Sequence, residues 1–405
     1  METTIFHIDV NSAYLSWTAL ERGANEETPD LRVIPSIVGG DIEKRHGVVL
    51  AKSGPAKKYG IRTGEPVVNA FRKCPSLVMV PPDHTLYARR SGELMTYLSD
   101  ICPDIEQVSV DECYMNFTPI AGNYKTPVSG ADTIREEIYK TFGFTVNIGV
   151  SNRKVLAKMA SDFRKPNLTH TLFSWEIEKK MWPLPVSALY MCGKSSVETL
   201  RKLEILTIRD LALADPMILE AHLKSHGRLL WQYANGIDPS TVVSQPVKAK
   251  GIGNSITLPK DAVTADEART ALLSLSESVA YRLRAAGQRA MMESLEIKYA
   301  DFQTVSHQTT FISPVDHDRI IYETACKLFE ETWNQAPIRL LGIRTARLCP
   351  VSDPVQLSLF DLEQPKLSEK QHKLDEAIDT IRKRFGEHSV IRGSLLGRKE
   401  EFKKH

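Results

Sequence analysis

Three carboxylates sit where strands could gather them: Asp9, at the end of the apolar run IFHIDV, and the adjacent pair Asp111 and Glu112 inside SVDE. Successive side chains on a straight strand point to opposite faces, so Asp111 and Glu112 can serve one centre only where the chain turns or bulges. Uncompensated acids in one pocket raise one another's pKa values, a conflict that a divalent cation removes. Oxygen donors suit a hard cation such as Mg2+, and two such ions about 4 Å apart clamp the attacking and leaving oxygens of an in-line phosphoryl displacement. Taken alone, such spacing more often belongs to acids on a surface or in a turn.

The elements that must position these acids are read from periodicity. The first run is a strand that becomes helical in pattern after Asp9. Residues 84–101 read as a helix, 105–118 as a strand pair, 131–142 as a helix, FTVNIGV as a strand, and 153–164 as a helix with Val155, Leu156, Met159 and Phe163 on one face. That makes one mixed α/β unit to about residue 170. Residues 174–240 change to short helices only. Residues 249–348 read strand, helix, strand, strand, helix, strand, the split β-α-β arrangement of a separate small domain. Its first helix opens with Thr264 and Glu267 at capping-box spacing and runs to Gly287. A polar junction at 244–250 is the expected linker.

Length and composition narrow the class further. With 405 residues, 42% apolar and 25% charged, the chain has an ordinary globular composition with room for several domains. The N-terminus carries His7 and Asp9, so it reads as neither a secretory signal nor a membrane span, and a cytoplasmic protein is expected. Six cysteines without a C-x-x-C pair point to reduced core thiols, not a zinc site or disulfide frame. Net charge is only +2, but residues 41–73 hold eight Lys/Arg against three acids, a local footprint suited to phosphates or simply a solvated face.

The strings FHIDVNSAYLSW, RHGVVLA, AKKYGIRTGEP, VSVDECYMNF and IGVSNRKVLAKMASDFRKPN occur in the order and approximate spacing of the catalytic core of Y-family translesion DNA polymerases. In kind, the resemblance is nearest to the bacterial polymerase IV type. Further on, VSALYMCGKSSVETLRKLEILTIRDLALA is similar to that family's helix-hairpin-helix thumb, and KGIGNSITLPKD to the opening of its little-finger domain. The resemblance implies an α/β (α+β multidomain) right-hand polymerase. Its palm would be residues 1–11 and 79–172, its fingers 12–78, its thumb 173–243, its little finger 247–349, and its tail 350–405. It implies template-directed, error-tolerant synthesis past damaged bases, with no proofreading nuclease, by a monomer acting on primer-template DNA and deoxynucleoside triphosphates.

Carried over by residue, the resemblance makes Asp9, Asp111 and Glu112 the ligands of two Mg2+ ions, with the carbonyl of Val10 as a further donor. Tyr14 matches the steric gate that excludes a 2′-hydroxyl. Lys165 matches a lysine that reaches the nucleotide phosphates, where an ammonium acts as a point charge. The family pattern has a tyrosine and, three residues later, an arginine over the triphosphate; AKSGPAKKYG departs from it with Gly54 and Lys57. Lys57 supplies charge without a guanidinium fork, and Ser53 or the backbone at Gly54 is a candidate donor in its place. Gly193 and Lys194 lie in the hairpin before a thumb helix that starts near Ser195, where backbone amides can hold a DNA phosphate without reading bases. Gln356, Leu357, Leu359 and Phe360, within QLSLFD, resemble the bacterial sliding-clamp-binding motif, an exposed apolar anchor for a partner's pocket.

Two other readings compete. GGDIE at 39–43 resembles the diguanylate cyclase signature, which would make Asp41 and Glu43 the catalytic acids. Alternatively, the chain is a catalytically weak DNA- or clamp-binding subunit.

Overall fold

The run that carries Asp9 becomes the central strand of a sheet whose two faces are both covered by helices. In this computed structural model the described residues are 3–23, 29–40, 47–245, 248–353, 369–386, 389–390 and 392–393. The chain divides into two units, Met1–Gly40 with Val48–Pro246, and Asp41–Gly47 with Val247–His405, a boundary inside the linker read from sequence.

The first unit begins β1 (Ile5–Val10), α1 (Ala13–Arg22), β2 (Ser36–Gly39), β3 (Val49–Lys52), α2 (Gly54–Lys58), α3 (Val67–Lys73), β4 (Val78–Val80) and α4 (His84–Ile101). It continues with β5 (Ile105–Gln107), β6 (Glu112–Asn116), α5 (Pro127–Phe142), β7 (Val146–Ser151), α6 (Lys154–Ser161) and β8 (Thr169–Thr171). Five helices complete it: α7 (Ile177–Lys180), α8 (Lys194–Lys202), α9 (Ile208–Leu213), α10 (Pro216–Leu223) and α11 (Ser225–Ala234).

The main sheet has the order β5-β6-β1-β7-β8, with β1 antiparallel to both neighbours. Alternation along β1 sorts its side chains. Phe6, Ile8 and Val10 join a core with Leu94 and Leu98 of α4 and Ile134 and Ile138 of α5. The odd positions Ile5, His7 and Asp9 face α6 instead. Gly149 of β7, opposite His7, lets α6 come this close: a Cβ there would stand 1.9 Å from the Ala157 carbonyl oxygen and 2.6 Å from the Ser161 nitrogen. The apolar positions of α6, Val155, Leu156, Met159 and Ala160, point the other way into the core of the helical stretch, so this helix is the wedge between the two. A second, smaller sheet of order β3-β2-β4 packs on α1, α2 and α3; its last strand reaches Val80, two residues past the fingers limit read from sequence.

The second unit contains β9 (Gly251–Ala262), α12 (Ala265–Ala285), β10 (Gln288–Tyr299), β11 (Thr304–Val315), α13 (Asp318–Thr332), β12 (Ile338–Pro350) and α14 (Glu369–Phe385). Its sheet, of order β11-β10-β12-β9, carries α12 and α13 on one face. The capping box at Thr264 forms as its spacing requires, with Glu267 N donating to Thr264 Oγ1 and the Glu267 carboxylate accepting from the Thr264 amide. Helix α14, in the stretch read from sequence as a charged helix and tail, is bound to α12 and the start of α13 by Asp375, Asp379 and Arg382. Among the described residues, no helix is long and apolar enough to cross a membrane, and all six cysteines are free.

Candidate active site

Asp9 and Glu112 are direct cross-strand partners in the β1–β6 ladder. Residues 109–111 bend just before β6, so Asp111 lies outside the regular strand that begins at Glu112. Two hydrogen bonds hold this bend, from the amides of Val108 and Ser109 to the Glu112 carbonyl, and the Val10 amide donates to the Asp111 carbonyl at 3.0 Å. Ser109 Oγ donates to Asp111 Oδ1 at 2.7 Å, which aims that carboxylate.

Two lysines reach the acids from α6 and the loop after it. Lys158 Nζ is 2.6 Å from Glu112 and 3.5 Å from Asp9, while Lys165 Nζ is 2.8 Å from Asp9 and 2.9 Å from Asp162. Beneath them His7, fully buried, has Nδ1 2.8 Å from Ser161 Oγ and Nε2 3.3 Å from Glu112 Oε2. The adjacent imidazole and, against the effect of burial, the Lys158 ammonium hold the Glu112 carboxyl down at about 2. Burial lowers the pKa of His7 despite the carboxylates, and the ring props Glu112. Asp111 shifts the opposite way: burial lifts it, the Ser109 hydrogen bond opposes the rise, and the charges of Asp9 and Glu112 add to it. Against burial, their carboxylate partners hold Lys158 and Lys165 above the usual lysine range. Donor atoms of His7, Asp9 and Glu112 lie within 4.8 Å of one another; Asp111 is not part of that close group, though the Asp9 and Glu112 charges reach it, and carboxylate oxygens of this kind fit a hard divalent cation.

His7 and Lys158 escaped the sequence reading. Period 2 does place His7 on the face of Asp9, but nothing local brings residue 158 to residue 112. The loop that carries Lys165 is pinned by two buried asparagines. Asn147 Nδ2 donates to the Ser161 and Arg164 carbonyls, and Asn11 Oδ1 accepts from the Asn167 amide at 2.8 Å. The Lys165–Pro166 peptide bond is cis.

Tyr14 lies on the first turn of α1 with its ring stacked on Tyr87, centroids 4.2 Å apart and planes 6° from parallel. Tyr87 is buried, and its hydroxyl meets Thr18 Oγ1 at 2.9 Å, so the ring under Tyr14 is fixed. Burial and then the Asp111 charge push the Tyr14 phenol up.

Ser53 is engaged locally. Its hydroxyl is buried as the N-cap of α2, donating to the Ile34 carbonyl at 2.7 Å and accepting from the Ala56 and Ser36 amides, so no proton remains for a ligand. Lys57 is exposed on α2 near Lys52, whose pKa is lowered by burial and then by the Lys57 charge. Gly193 is the exposed N-cap of α8, with no side chain capping the amides that begin at Lys194. Asp41, Glu43 and the segment with Gln356, Leu357, Leu359 and Phe360 lie outside the described residues.

A sheet with acids at one end, a smaller sheet with its helices, a helical stretch and a separate sheet-and-helix unit together define a right-hand polymerase fold. A solved Y-family DNA polymerase chimera shares it, with a TM-score of 0.74 at 20% identity, covering 86% of this chain and 99% of the other. The sequence model of the impB/mucB/samB family matches residues 8–162 and that of the family's C-terminal domain residues 249–359, and the chain belongs to this family, the Y-family DNA polymerases. It is 44% identical over 401 residues to the DNA polymerase IV of Clostridium acetobutylicum, spanning 99% of this chain and 100% of that one. The DNA polymerase IV of Acetivibrio thermocellus is 36% identical over 98% of both chains, and DNA polymerase IV 1 of Bacillus subtilis 34% identical over 98% and 94%.

Proposed function

We propose that this chain is a template-directed DNA polymerase that extends primers past damaged bases, with Asp9, Asp111, Glu112 and the Val10 carbonyl as donors to two Mg2+ ions. The register supports this most: Asp9 stands opposite Glu112 on adjacent strands, and the chain bends at Asp111. Ions held by these donors would supply a lowered pKa at the primer 3′-hydroxyl and positive charge against the pyrophosphate. The protein's own residues do the positioning. His7 and Ser109 orient two of the carboxylates, Lys165 and Lys57 offer point charges to phosphates, and the Tyr14 ring, backed by Tyr87, sits where a deoxyribose must fit. The Gly193 amide is spent on the Met191 carbonyl, but the uncapped amide of Lys194, first in α8, can hold a DNA phosphate. In this reading the acids lie in a palm, the β3-β2-β4 sheet belongs to the fingers, α7 to α11 to the thumb, and β9 to β12 to the little finger. The enzyme works as a monomer tethered to a sliding clamp through residues 356–361.

Primer extension by Asp111→Asn and Glu112→Gln variants tests the metal assignment. Both abolish synthesis while primer-template binding persists; normal extension by either removes that acid from the centre. Incubation with GTP alone serves as the control for cyclase chemistry at Asp41 and Glu43.

A further inference from the structure

A surface helix ordinarily packs on its own domain through its apolar stripe. Helix α14 does the reverse. The face it turns to the second unit carries Asp375, Asp379 and Arg382, while Leu374, Ile381 and Phe385 stay 57%, 40% and 67% exposed.

Opposite, α12 supplies Glu277 and Arg284, and the start of α13 supplies His317 and Asp318. Arg284 forms a fork on Asp379, Nε to Oδ2 at 2.6 Å and Nη2 to Oδ1 at 3.0 Å. His317 Nε2 is 2.9 Å from Asp375 Oδ2, and Arg382 Nη2 is 3.1 Å from Glu277 Oε2. Beyond the helix, Arg392 meets Glu277 at 2.5 Å and also Asp318. His317, Asp318 and Asp375 are each at most 8% exposed, yet the seam is not close-packed: a cavity of about 240 Å³ runs along it, lined by six charged residues, among them Glu277, Arg284 and Asp375, and by only two apolar ones, the half-buried Ile378 of α14 and Val390. Among the described residues, the apolar core of this unit draws on the sheet, α12 and α13, and on no residue of α14.

These facts point one way. In a partly buried ionic seam, desolvation offsets most of the attraction, so its net hold is modest, and salt weakens the pairs that water reaches, Arg284–Asp379 and Arg392–Glu277, more than the buried ones. An apolar seam responds the other way, because its hold is kept or strengthened by salt. We propose that α14, with the chain through Arg392, is a detachable strap held on the second unit by this ionic latch, leaving a folded domain beneath when it opens.

The latch governs a tether. The chain before 354 is fastened to the same unit, since Arg289 donates to the Val351 and Asp353 carbonyls at 2.6 and 3.2 Å. With the latch shut, the described chain on both sides of that segment, up to 353 and from 369, is held on this unit; with it open, only the part up to 353 is. Resting on the reading of residues 356–361 as a clamp-binding segment, the latch therefore sets the reach and effective concentration of that segment.

Hydrogen exchange on the full chain, with no clamp present, tests the latch separately from the clamp reading. Raising NaCl from about 0.1 M to about 1 M shrinks the screening length from about 10 Å to about 3 Å. The α14 amides then exchange about tenfold faster while those of α12 and β10 keep their protection. Asp379→Asn, on the strap itself, and Arg284→Gln give the fast exchange already at low salt, with α12 protection reporting that the domain is folded. Ile381→Ser leaves α14 protected. The proposal is overturned if α14 exchange ignores both salt and the Asp379 substitution, or if Ile381→Ser releases the helix.

Discussion

Substituting Gly149 by alanine attacks the site without touching any of its polar groups. The added Cβ would meet backbone on α6, 1.9 Å from the Ala157 carbonyl oxygen and 2.6 Å from the Ser161 nitrogen. Neither atom can rotate away, so the helix itself must give. Restoring the shorter contact to the 3.0 Å minimum seen for real Cβ atoms takes about 1.1 Å of outward movement. Lys158 and Ser161 travel with the helix, and the 2.6 Å pair between Lys158 and Glu112 and the 2.8 Å contact between Ser161 and His7 both open. Overpacking of this kind costs about 2 kcal/mol, roughly 4–8 °C in the unfolding temperature of a unit this size. A misplacement of about 1 Å at a reacting centre costs about 100-fold in rate. Single-turnover primer extension beside thermal unfolding reads both quantities. A Gly149→Ala enzyme with unchanged rate and unchanged melting would refute the argument that close approach of α6 builds the site.

Three further outcomes follow from particular side chains. Glu293, on the inner face of β10, is fully buried without a hydrogen-bond partner among the described residues, and burial pushes its carboxyl up to about 9. A carboxyl raised this way is neutral when folded and ionised when unfolded, so it costs nothing below about pH 4.5 and progressively more as pH climbs toward 9. Glu293→Gln should therefore stabilise the second unit by about 3 kcal/mol at pH 7 and by almost nothing at pH 4, measured by denaturant unfolding across pH; a gain independent of pH would contradict it. Tyr14→Ala should raise ribonucleotide incorporation while deoxynucleotide insertion continues, and unchanged sugar discrimination in single-nucleotide assays would remove Tyr14 from the gate. Deleting 356–361 should abolish stimulation by the clamp and leave basal extension intact; retained stimulation would place clamp contact elsewhere.

What could be read from the chain alone was what local chemistry controls. Alternation and amphipathic spacing set the order of strands and helices, as at α4, predicted and found over 84–101, and Thr264 capped its helix because the two partners lie within one turn. The requirement of a bend at Asp111 was also local, since adjacent side chains on a strand diverge. The family was legible because long strings matched in order. The rest depended on partners far apart in sequence. Only folding brought Lys158 across 46 positions to Glu112, spent the Ser53 hydroxyl on a helix cap, and seated α14 on charges instead of on its apolar stripe. Periodicity says which residues share a face of an element. The surface that face meets, and which charges are left to be matched there, is decided by packing between elements that no local window contains.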